Sequence, residues 1–177
     1  MSTIKRLLSA RLAVVALAVF TGCATTESAP DGVALKPGQG LLAMKIISNT
    51  SARLSYQEYS KESSFGSRFA ENMLGPKGAI VLKPDDKYWV LPVDAGEYMW
   101  SKIEMGNLFA NLHTSNRFRV KPNTITYIGD IRISLNNRRI QFIVRDGEPG
   151  MQDHLNQAYP TYMKSMGFEK VMAEMRL

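Results

Sequence analysis

The chain's two histidines, His113 and His154, are its most versatile groups for chemistry near neutral pH, because imidazole can move a proton or bind a metal there. They lie far apart in sequence and in different expected elements. No H-E-x-x-H spacing sets a pair on one helix face. Neither a G-x-S-x-G nucleophile elbow nor a G-x-x-x-x-G-K-[ST] phosphate cradle occurs. Catalytic triads assemble from distant residues, so a hydrolase acting on envelope material stays open as an alternative without a local site. Met163 and Met166 are three apart, as are Met172 and Met175. Thioethers are soft ligands suited to Cu(I), which makes copper handling a second alternative, but methionine more commonly fills irregular gaps in helix packing. Asp85 and Asp86 follow Pro84, and turn chemistry accounts for them; calcium would want more oxygen ligands at regular spacing. Arg117, Arg119 and Lys121 alternate with Phe118 and Val120, and Arg132, Arg138, Arg139 and Arg145 follow. Such cations could meet an anionic partner, although a solvated outer sheet face is the simpler expectation. No catalytic, cofactor-binding or metal-binding residue is assigned, and no cofactor is expected.

The single cysteine, Cys23, is the informative one. It cannot form a disulfide within one chain. Lys5, Arg6 and Arg11 precede the apolar run Leu12–Phe20, and small residues Thr21 and Gly22 precede the cysteine. A basic start, an apolar middle and a small-residue end make up a secretory signal. Nine apolar residues (12–20) at about 1.5 Å each cannot span a hydrocarbon core of roughly 30 Å. Phe20-Thr21-Gly22-Cys23 resembles the lipobox of bacterial lipoproteins, with Phe where Leu is usual. The resemblance implies lipid on the Cys23 thiol and cleavage before it, and therefore a membrane as partner. Each buried methylene contributes about 0.8 kcal/mol, so two or three acyl chains hold permanently. Ala24 follows the cysteine, and the absence of Asp there favours the outer membrane, with the protein facing the periplasm. Residues 1–22 are thus expected to be a signal peptide and 23–39, rich in Thr, Ser, Pro and Gly, a lipidated flexible tether.

The elements beyond residue 40 read as short strands: Leu41–Ser48, Arg53–Tyr59, Ala79–Lys83, Tyr88–Val93, Glu97–Met105, Arg117–Lys121, Thr124–Leu135 and Arg139–Arg145. Turn formers separate them, including Pro84-Asp85-Asp86, Asp94-Ala95-Gly96, Pro122-Asn123 and Asn136-Asn137. Frequent short strands with one wet and one dry face predict a mainly β fold, an antiparallel β-sandwich over 40–146. Gly129 inside its strand predicts a bulge or a close backbone approach. Ser60–Gly78 lacks alternation and reads as a long loop. In the C-terminal extension, 147–177, Leu155, Tyr159, Tyr162 and Met166 fall at helical spacing. Pro160 suits the first turn of a new helix, Gly167 its end, and Val171, Met172 and Met175 a further helical face.

Leu91-Pro92-Val93-Asp94-Ala95-Gly96-Glu97-Tyr98, Phe118-Arg119-Val120-Lys121-Pro122 and Tyr127-Ile128-Gly129-Asp130 resemble a group of bacterial lipoproteins. That group carries a small transthyretin-like (prealbumin-like) or carboxypeptidase-regulatory-like sandwich. The resemblance implies that fold and no catalytic residues.

The 177 residues carry a net charge of +6. Lys5, Arg6 and Arg11 lie in the expected signal, so 19 of the 22 basic residues remain against 16 acids, or +3. A bulk +3 without a concentrated basic patch does not predict a nucleic-acid partner. The leading expectation is a membrane-anchored, non-enzymatic binding or scaffolding module in the periplasm, with an envelope protein as partner.

Overall fold

The computed structural model describes residues 27–59, 77–112 and 117–173. Cys23, His113, Met175, the expected signal segment (1–22) and nearly all of the 60–78 segment lie outside them. Alternating and continuous apolar runs become ten strands: β1 Gln39–Ser48, β2 Ala52–Glu58, β3 Gly78–Leu82, β4 Asp85–Asp94, β5 Gly96–Met105, β6 Leu108–Asn111, β7 Arg117–Val120, β8 Thr124–Asn136, β9 Arg139–Arg145 and β10 Gly167–Lys170. Helices α1 Glu148–Ala158 and α2 Pro160–Ser165 stand between β9 and β10. The strands form two five-stranded sheets, a β-sandwich as expected.

Both sheets share one construction. In one, the order is β4-β1-β8, and β10 and β9 lie end to end along the outer edge of β8. In the other, the order is β3-β2-β5, and β7 and β6 lie end to end along β5. Each long strand carries a register shift where its two short partners meet. On β8 the pairing passes from Ala43↔Tyr127 to Lys45↔Asp130, so Ile128 and Gly129 face Met44 alone. On β5 it passes from Ser55↔Lys102 to Tyr56↔Trp100, leaving Ser101 extra. Gly129 takes φ +104, and a Cβ there would sit 2.5 Å from Val144 Cγ1. The bulge expected at this glycine is therefore required both by backbone conformation and by space.

Several details of the strands differ from the sequence reading. The first sheet is mixed, because β1 and β10 both run parallel to β8. The chain leaves β1, builds the other sheet, and returns as β8 in the same direction, the long crossover that parallel pairing needs. Asp85 and Asp86 are not a turn but the start of β4, held in the ladder opposite Ser48 and Ile47. A short strand not expected from the sequence, β6, pairs with β5 from Met105 back to Lys102. Finally, Gly167 opens a strand instead of closing a helix, and Val171 and Ala173 continue along β8, their N–H groups bonding Tyr127 O and Ile128 O.

There are two apolar layers. Between the sheets lie Leu42, Met44, Leu54, Ile80, Trp100, Ile103, Phe118, Ile131 and Ile133, among others. Tyr98 sits in this layer, stacked on Phe118 with centroids 6.0 Å apart, and its hydroxyl donates to Asp94 O at 2.6 Å. That bond closes the corner at which the chain changes sheets between β4 and β5, and it explains the Asp94-Ala95-Gly96-Glu97-Tyr98 pattern. The second layer lies on the outer face of the β4-β1-β8 sheet, where Leu41, Ala43, Val90, Ile125 and Tyr127 meet Met151, Leu155 and Tyr162 from the helices. Pro160 starts α2 as expected.

The described part of the expected tether lies against the body. Ala29 N–H donates to Val90 O at 2.8 Å, and Val90 N–H donates to Ser28 Oγ at 3.2 Å, which covers part of the edge of β4. Asp31 accepts the N–H groups of Thr161 and Tyr162 at the start of α2 (3.0 and 3.2 Å), and the Tyr162 hydroxyl donates to Val33 O at 2.7 Å. Local composition predicted a linker; polar side chains at 28 and 31 instead satisfy backbone groups that would otherwise be unpaired.

Leu155 is fully buried in the second layer. Leu155→Ala is expected to cost about 2–5 kcal/mol, read as a lower urea midpoint with loss of helical signal.

Candidate functional site

The bulge decides which polar groups meet. Residues 127 and 130 would point to opposite faces of a regular strand. The extra residue at Ile128-Gly129 turns both toward the helices. The Tyr127 hydroxyl donates to Asp130 Oδ1 at 2.7 Å and accepts Gly147 N–H at 2.8 Å. Beside them on the same face, β1 presents Lys45, whose Nζ pairs with Asp86 Oδ2 of β4 at 3.0 Å and lies 5.1 Å from the Tyr88 ring centroid. Tyr88 in turn stacks on His154 of α1, with centroids 4.1 Å apart and planes 9° from parallel. At the start of α1, Lys170 of β10 binds Asp146 at 2.9 Å and Glu148 at 2.6 Å.

Burial pushes the Asp130 carboxyl up; the Tyr127 hydrogen bond and the Lys45 charge oppose this, and the Asp86 and Asp146 charges reinforce it. The net position is above the ordinary value of 3.8. Burial and the bond to Asp130 also push the Tyr127 phenol up, so it stays protonated. Burial pushes His154 below its ordinary 6.5, so it is neutral at pH 7. A raised carboxylate, a protonated phenol and an ammonium could exchange protons, but each is bonded to a neighbour. Together they join β1, β4, β8, β10 and the start of α1. The cluster is a latch between helix and sheet.

The second candidate is a groove of about 530 Å³ at the side of the sandwich where edge strands β3 and β4 are joined by Lys83-Pro84. Ile46, Leu82 and Trp89 give it an apolar lining, while Lys83, Asp85 and Lys87 add charge. Lys87 Nζ lies 4.6 Å from the Trp89 ring centroid. Trp89 is 7% exposed, and its indole N–H has no hydrogen-bond partner among the described residues. The N-terminal segment reaches this rim, with Glu27 and Ser28 lining it.

The residues singled out in the sequence are dispersed. Met163 and Met166 pack against the second apolar layer. Arg117 and Arg119 lie on β7, where Arg117 stacks 3.6 Å over Tyr59 and Arg119 pairs with Glu97 at 2.6 Å. Lys121 pairs with Glu169 at 2.7 Å. Arg132, Arg139 and Arg145 belong to the other sheet, and Arg138 sits in the β8–β9 turn with φ +61. The cations therefore form no single stripe. No group of three or more His, Cys, Asp or Glu could hold a metal among the described residues. Lys45 and Tyr88 carried no functional signal in the sequence, and Tyr127 and Asp130 entered it only as part of a fold motif around the bulge glycine. The groove draws on β1, β3, β4 and the N-terminal segment, which no local pattern brings together.

No family model, curated protein or solved structure matches this chain.

Gly129→Ala is expected to cost about 1–3 kcal/mol from backbone strain alone, and to shift the Asp130–Tyr127 bond, visible as perturbed amide resonances at Gly147. Acid titration separates two groups. His154 contributes stability that is present above pH 6.5 and lost as pH falls through its depressed value. Asp130, raised, contributes stability that is present below pH 3.8 and lost as pH rises through its folded value. The melting temperature should therefore fall on acidification below pH 6.5 in the native chain, and His154→Phe should remove that limb. An unchanged limb would contradict the burial of His154 as its cause.

Proposed function

We propose that this chain is a lipid-anchored envelope module, a transthyretin-like sandwich held at the periplasmic face of the outer membrane, that binds or positions an envelope partner without catalysis. The reading is supported by the signal layout ending in Cys23, and the observation that carries it furthest is the docking of Ser28 and Ala29 onto β4. A free linker of sixteen residues (24–39) would let the body wander on the order of 20 Å from the lipid. With Ser28 fixed, the chain from 24 to 27 reaches at most about 14 Å. The body would be held close to the bilayer in a limited range of orientations, which suits presentation of a fixed surface better than free capture. The hydrolase reading would need a site completed by the 60–78 segment. The copper reading would need Met163 and Met166 free of the apolar layer they now support.

In cell fractions, the mature protein should pellet with membranes and carry an N-terminal mass that includes acyl chains on Cys23. Cys23→Ser should move it to the soluble fraction. A native chain that is soluble or carries a bare thiol would defeat the reading.

A further inference from the structure

We propose that the groove between β3 and β4 takes one acyl chain of the lipid carried on Cys23, and this rests on the anchored reading above. The described chain begins on the groove itself. Glu27 and Ser28 form part of its wall, and Ser28 and Ala29 are fixed there by two hydrogen bonds to Val90. Cys23 lies four residues before Glu27, a distance of at most about 14 Å. An acyl chain on that thiol therefore starts within reach of the opening. A volume of about 530 Å³ lies within the range of small-ligand sites, roughly 300–1,000 Å³.

The lining is mixed, with Glu27 and Asp85 beside its apolar and cationic side chains, and the apolar and cationic parts suit a glyceryl ester with an alkyl tail. Ile46, Leu82, Val81 and Trp89 offer apolar surface for methylenes. Lys83 and Lys87 bring ammonium donors to the groove, and ester carbonyls are acceptors for them. A purely polar ligand would leave the alkyl lining unused, and a phospholipid from the bilayer would lack the covalent proximity that the Cys23 chain has. A chain housed here would be withdrawn from the bilayer, so the anchor would hold by its remaining chains.

The test uses the full lipidated protein from cells fed a palmitate analogue carrying a terminal diazirine. Intact mass first establishes whether Cys23 is acylated; an unmodified thiol ends both the anchored reading and this inference. With Cys23 labelled, irradiation should crosslink the acyl terminus to Ile46, Val81, Leu82 or Trp89. Val81, 45% exposed, tolerates a polar change without disturbing the core, and Val81→Asp should lose those crosslinks while Cys23 stays acylated. Crosslinks confined to bilayer lipid or to other surfaces overturn the inference and leave the anchor standing. Groove crosslinks that persist in Cys23→Ser, from free analogue, would assign the groove to a membrane lipid and overturn the occupant proposed.

Discussion

Burial of β8 on both faces is the constraint on which the rest of the structure depends. Ile125 and Tyr127 face the helices, while Ile128, Ile131 and Ile133 face the opposing sheet, and all five are fully buried. A strand in that position must satisfy its whole ladder internally. It does so with β1 on one edge and β9 and β10 sharing the other. The return of the chain as α1, α2 and β10 is therefore part of the sandwich. Without it, the first part of one β8 edge and one apolar face of the sheet would meet water.

The bulges let one long strand serve two short ones. At Ser101 and at Ile128-Gly129 the ladder shifts where one edge partner ends and the next begins. At the first, Leu112 N–H bonds the bulged Ser101 carbonyl. At the second, Ala173 N–H bonds Ile128 O. The irregular residues thus find partners in the chain just beyond the strands they separate. On β8 the shift also brings Tyr127 and Asp130 to one side and creates the latch that receives Gly147.

Much of this was legible in the sequence. Alternation in Arg117–Val120 and in Ile131-Arg132-Ile133 gave the right faces, and Leu155, Tyr159, Tyr162 and Met166 gave the inner side of the helices. Gly129 announced its bulge because only a positive φ and a missing side chain fit there. What could not be read depends on pairing at a distance. Asp85 and Asp86 look like a turn until β1 supplies ten partners for β4. Ser28 and Asp31 look like linker residues until Val90 and the start of α2 need their oxygens. That the cations of β7 and β9 fall on different sheets follows from strand order, which no local alternation encodes.

The docked N-terminal segment also has a mechanical meaning. Any force on the chain upstream of Glu27 reaches the protein first through the Ser28 and Ala29 bonds to Val90, then through Asp31 at α2, and only afterwards through β1. The early bonds can be peeled one at a time. Strand β1, central in its sheet and bonded along its length to β4 and β8, resists as a unit in shear. The segment would yield as a shock absorber, freeing chain ahead of β1 while the sandwich stays folded.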